Sequence, residues 1–142
     1  MRKVLLIFIV ALILSACESE QVKPPSEDSE LALQAFAVSE SVRDLYVKKD
    51  YDAMSEMFTA EAYKEFRAGL RQWESVELTF TPRLVEIEND KVTLNVSWQG
   101  KWVFMGRTAS ERGMAVFEMD GRPLKISRIP MGSPFIYPVE SK

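Results

Sequence analysis

Histidine is absent from this 142-residue chain, and cysteine occurs once, at position 17. Without histidine there is no imidazole base for serine hydrolysis, and a lysine would have to substitute for it. Without a second cysteine no intramolecular disulfide can form, so an exported domain would have to do without that staple. The carboxylates show no Asp/Asn run of calcium-loop spacing, and scattered acids on helices are ordinarily a solvated face, so no metal site is expected. The six glycines form no phosphate-cradling pattern, and no cofactor is expected. The aromatics are the remaining chemistry. Trp98, Trp102 and Phe104 share parity along one segment, provided Gly100 causes no register shift, and Tyr63, Phe66 and Trp73 recur near helical spacing. Such side chains fill the core of a small domain or wall a pocket. Arg107 and Arg112 flank the end of that segment and could meet an anionic group.

At the N-terminus, residues 4–14 (VLLIFIVALIL) are unbroken apolar sequence behind Arg2 and Lys3. A positive start, a short apolar run and small residues after it describe a secretory signal. A membrane-spanning helix needs about 20 apolar residues, whereas the run extended to Ala16 has thirteen. Setting residues 1–16 aside removes two basic residues and no acid. The balance of 18 basic to 21 acidic becomes 16 to 21, and the net charge moves from −3 to −5. An acidic chain with no basic cluster argues against nucleic acid as a partner, because phosphate binding needs grouped Lys and Arg.

Leu14-Ser15-Ala16-Cys17, placed directly after the apolar run, resembles the bacterial lipobox. The resemblance implies that the Cys17 thiol receives a diacylglyceryl group, that the leader is cut before it, and that Cys17 becomes an acylated N-terminus. Two or three acyl chains anchor a protein stably, where one does so only marginally. The partner so implied is the lipid bilayer, through acylated Cys17. The domain then stands on the extracytoplasmic side of the bacterial cell membrane or outer membrane; Glu18 is not the usual inner-membrane retention residue and leaves both open. Polar, acidic sequence with Pro24-Pro25 follows and reads as a tether. The expected organisation is a signal peptide at 1–16, a lipidated N-terminus and tether at 17–28, and one domain at 29–142. The eleven residues 18–28 reach at most roughly 35–40 Å.

The elements that must position the domain's side chains follow from periodicity. Ser26 or Ser29 is a candidate N-cap. Leu31, Ala35, Val38, Val42, Leu45 and Tyr46 step by three and four, one face of a long helix. A short helix carrying Tyr51, Met54, Met57 and Phe58 is expected next, and a third over 60–73 capped by Thr59. The period then changes to two: a strand around 76–81 that 83–88 continues past Pro82, itself a bend or edge position, an Asn89-Asp90 hairpin turn, and a strand from Val92 to Trp98 that Gln99-Gly100 interrupts as a bulge or turn before 102–105. Residues 106–112 read as a loop, 114–119 and 124–129 as strands around an Asp120-Gly121 turn. Residues 130–138 read as irregular but docked, with Phe135, Ile136 and Tyr137 on their own domain or on a partner. Helices followed by an antiparallel meander make an α+β fold, with the long helix packed across a curved antiparallel sheet.

Two stretches, VRDLYVKKDYDAMSEMFTAEAYKEF (42–66) and VFEMDGRPLKISRI (116–129), resemble the nuclear transport factor two-like (cystatin-like) superfamily, over about 31–129. One feature departs from it: no short strand is evident between the second and third helices. The resemblance implies a cone-like sheet whose open end is sometimes a pocket. Tyr63, Trp98, Trp102, Phe104 and Arg107 are the ligand-binding candidates there, and a small apolar ligand or an envelope protein is the implied partner. It also implies an alternative, an enzyme with a buried carboxylate, for which Asp44 with Tyr46, or Glu118, are the candidates. A third reading is a homodimer packed sheet to sheet. With no catalytic constellation apparent, the expected function is a non-catalytic binding domain held at a membrane.

Overall fold

The computed structural model describes residues 26–137. The expected signal peptide, Cys17 and most of the expected tether lie outside the described residues. Helix α1 spans Glu27–Lys48, α2 Tyr51–Ser55 and α3 Ala60–Ala68; strands β1 (Ser75–Glu88), β2 (Lys91–Phe104), β3 (Arg107–Asp120) and β4 (Lys125–Met131) follow. The strands form one antiparallel sheet in chain order, curved around the helices, which makes the fold α+β.

Ser26 caps α1, its side chain accepting the Ser29 N–H, with Glu27, Asp28 and Glu30 in the first turn where the helix dipole favours acids. Glu27 and Asp28 therefore belong to the helix, two residues earlier than composition places the domain boundary. The buried face is Leu31, Ala35, Ser39, Val42 and Tyr46, with Val38 and Leu45 half-buried beside it. Ser39 tolerates complete burial because its hydroxyl donates to the Phe36 carbonyl at 2.8 Å. Lys49 ends the helix in the left-handed region, φ 57°.

Helix α3 stops at Ala68, five residues short of the expected 73. The reason is a competing partner from the far end of the chain. Leu70 bridges Ile136, and the Arg71 N–H donates to the Phe135 carbonyl at 2.8 Å. Gly69, a poor helix former, marks the exit. Trp73 accordingly sits in irregular backbone, yet buried.

Two strand expectations are corrected. Gly100 neither bulges nor turns: it stands in register between Leu78 and Glu111. Its role is space, since a Cβ there would run into the Trp102 ring. Residues 107–112 are not a loop but the first half of β3, because ladder hydrogen bonds to Gln99–Phe104 require no apolar side chains. The loop shrinks to Met105-Gly106, both at positive φ (50° and 70°), as a two-residue turn with strand-matching twist demands. Residues 76–88 form one strand, as expected, irregular between Pro82 and Leu84 and at the sheet edge, where a proline costs no ladder bond.

Between α2 and α3 the chain does pair once: the Ile126 N–H donates to Met57 O (2.8 Å) and Ile126 O accepts from Thr59 N (2.9 Å), a parallel bridge at Phe58. The inner sheet face supplies Phe80, Leu94, Val96, Trp98, Phe117 and Ile126 to a core closed by α1. Phe135 of the docked tail is fully buried, edge-on to Tyr46 with centroids 4.9 Å apart and to Phe66 at 5.6 Å.

Candidate functional site

The five ligand-binding candidates do not converge. Trp98 and Trp102 keep their shared parity and are both buried, so they are core, not pocket wall. Each has its indole N–H committed: Trp98 Nε1 donates to Gly132 O at 2.8 Å, Trp102 Nε1 to the Tyr46 hydroxyl at 3.2 Å. Phe104 has the right parity too, but lies beside the hairpin turn beyond the covered face and is 44% exposed. Arg107 pairs with it across that turn and is exposed. Tyr63 is elsewhere, half-buried on α3 against Phe58 and Phe66, its hydroxyl donating to Tyr51 O at 2.5 Å. Periodicity reports which face a residue occupies; it does not report where along that face the helical cover ends.

The carboxylate candidates are not poised for proton transfer either. Asp44 is exposed and paired with Arg43 at 2.7 Å. Tyr46, two residues on, points the other way into the core, where burial pushes its phenol up to about 12, against the opposing effects of the Trp102 hydrogen bond and the Arg71 charge. Glu118 is part-exposed and paired with Arg128 at 3.3 Å. Arg112 is exposed on β3, opposite Gln99. Among the described residues no three acids come together as a metal site.

The buried polar centre of the molecule is one that spacing does not reveal. Arg71, 6% exposed, closes both guanidinium nitrogens on Glu111, Nη1 to Oε2 at 2.9 Å and Nη2 to Oε1 at 2.5 Å. The guanidinium also covers the Trp102 ring at 4.0 Å from its centroid and faces Tyr137 at 5.6 Å. The Arg71 hydrogen bonds hold the Glu111 carboxyl below its usual range, outweighing its partial burial. Beside it, Trp73 lies 5.5 Å from Tyr46, its Nε1 buried without a partner among the described residues. This assembly fastens the C-terminal tail and the residues after α3 to the sheet. Arg71 and Glu111 are forty positions apart, and nothing local in the sequence signals that they meet.

The opposite face of the sheet is open. Register places Leu84, Asn95, Val116 and Met131 in one row across all four strands, with Met114 beside them. Leu84 (53%), Met114 (49%) and Met131 (66%) are exposed there. Next to this band is a shallow groove of about 430 Å³, lined by Glu77, Thr79, Gln99, Lys101 and Arg112 among others. An apolar band with a charged, hydrogen-bonding flank is the composition of a protein-contact surface.

No protein-family model matches the chain, and no curated protein matches it. Among the described residues no helix is long and apolar enough to cross a membrane.

Proposed function

We propose that this protein is a bacterial envelope lipoprotein. Acylated Cys17 holds it to the lipid bilayer, and a non-catalytic α+β domain on the extracytoplasmic side binds an envelope protein through the open face of its sheet. The anchor rests on the Leu14-Ser15-Ala16-Cys17 sequence behind its apolar run. Support for the domain's role comes from one observation: exposed Leu84 and Met131, with half-buried Val116 between them in the same row, on the face that no helix covers. Burial of Trp98 and Trp102 weighs against a small apolar ligand inside the core, and the ion-paired positions of exposed Asp44 and part-exposed Glu118 weigh against carboxylate catalysis. The nuclear transport factor two-like resemblance belongs to this reading as well, and the helix-then-meander order is consistent with it.

The anchor is tested by Cys17→Ser. The variant should leave the membrane fraction; retention there, with no precursor accumulating, overturns the lipoprotein reading. The partner surface is tested by cross-linking in native membranes, comparing the parent protein with Leu84→Glu and Met131→Glu. Both side chains are solvent-facing, so stability should shift by no more than about 0.5 kcal/mol, while a discrete cross-linked species disappears. A species of twice the chain mass identifies the partner as a second copy. Cross-linking that both substitutions leave intact rejects this face.

A further inference from the structure

A second recess lies at the C-terminal end of α1, away from the open sheet face. Its volume is about 310 Å³, and it is lined by Lys49, Tyr51, Arg67, Leu70, Gln72 and Trp73. Two cations, two aromatics, an amide and a leucine form the wall, and no carboxylate does. That is notable in a chain where acids outnumber bases 21 to 18. We propose that this recess is a binding site for a small anionic ligand, one carboxylate or phosphate group on an apolar or aromatic body.

Both cations are held in place without being neutralised. Lys49 Nζ donates to the Trp73 carbonyl at 2.9 Å and sits 4.2 Å from the Trp73 ring centroid. An ammonium has three donors, so two remain for a ligand. Arg67 lies over the Tyr51 ring at 4.6 Å, which fixes its planar fork while leaving its N–H groups unspent. Among the described residues Arg43, Arg71, Arg122 and Arg128 each close on a carboxylate, whereas Lys49 and Arg67, like Arg83, Arg107 and Arg112, do not. Leu70, Tyr51 and Trp73 provide the apolar surface for the body of the ligand.

One effect opposes the anion. The C-terminal end of α1 carries roughly half a negative charge from the helix dipole. Two full positive charges outweigh it, and the left-handed Lys49 cap already satisfies carbonyls there through its N–H to Tyr46 O at 3.1 Å. The recess is at the small end of the range for ligand sites, about 300 Å³ upward, which limits the ligand to a single ring or short chain. It also lies a helix length, about 33 Å at 1.5 Å per residue, from Ser26 at the start of the 22-residue α1. A ligand therefore reaches it without competing with whatever the tether approaches, and the site does not depend on the anchor or on the sheet-face partner.

The test is an NMR titration of the full chain in micelles of an uncharged detergent, with phenyl phosphate and benzoate as probes and inorganic phosphate as the bare anion. Saturable shifts are expected at Arg67 Nε–H, the Gln72 side-chain amide and Trp73 Nε1–H. Lys49→Gln and Arg67→Gln should each weaken the tighter probe by about tenfold, the effect of one charge-assisted contact, with Lys49→Arg retaining most of the affinity. Both side chains reach solvent, so spectra away from the recess should be unchanged. Tighter binding of phenyl phosphate than of benzoate assigns a phosphate group, and the reverse a carboxylate. Shifts spread over exposed cations such as Arg107 and Arg112, no saturable shift, or affinity unchanged from the parent in both charge-removing variants would overturn the site.

Discussion

The Arg71 guanidinium lies 4.0 Å from the centroid of the Trp102 ring, a cation over a buried indole. The contact is possible because Glu111 meets the other edge of the guanidinium, so the charge is removed from water only where it is both paired and stacked. Three segments distant in sequence meet here: the residues after α3, the C-terminal end of β2 and the first half of β3.

Removing one member of the pair should cost far more than removing both. Glu111→Gln leaves Arg71 charged and buried, and urea denaturation should show a loss of about 2–4 kcal/mol. The double variant Arg71→Met, Glu111→Leu should recover most of that loss, since apolar replacement of a buried pair is often near neutral.

The same pair predicts a pH dependence with a definite sign. The Glu111 carboxyl is held below its unfolded value of about 4.3. A depressed carboxyl stabilises the fold fully above that unfolded value and loses the contribution as pH falls through the lower folded value. Stability measured downward from pH 5 should therefore fall less steeply in Glu111→Gln than in the parent. Parallel curves would show that the pair contributes nothing to acid sensitivity.

Gly100→Ala tests whether glycine is there to admit a ring. The added methyl meets Trp102, and overpacking of this kind costs about 1–3 kcal/mol. In the background of Trp102→Phe, whose smaller ring vacates the site, the same change should cost less. An additive double-mutant cycle would separate the two residues.

Phe135 lies outside every helix and strand, yet Phe135→Ala should destabilise by about 3–5 kcal/mol, the range for deleting a buried aromatic side chain. Thermal unfolding followed by near-ultraviolet circular dichroism, which senses the Tyr46 and Phe66 surroundings, is the suitable measurement. A change of a few tenths would mean that the tail is an appendage and not part of the core.

Much of this fold is legible in sequence because it is set locally. The three- and four-residue steps from Leu31 to Tyr46 mark the buried face of α1, and strict alternation from Val92 to Trp98 marks the inner face of β2. The misreadings share one cause, that a distant segment decided the outcome. Residues 70–73 continue a helical pattern, but tail backbone at Phe135 and Ile136 offers them other partners. Residues 107–112 look like a loop because they are polar, and they form a strand because Gln99–Phe104 stand opposite.

The candidate sites divide along the same line. Sequence alone determined that histidine chemistry and an intramolecular disulfide are excluded, that Leu14-Ser15-Ala16-Cys17 follows a short apolar run, and that the domain is α+β. These are matters of composition and of periodicity over neighbouring residues. Tertiary structure alone decided that Trp98 and Trp102 are core while Phe104 is not, that Arg71 finds Glu111, and that Lys49 and Arg67 share a recess. Which side chains meet across a curved sheet depends on where the helices end and the tail docks, and those are long-range packing choices that no local spacing encodes.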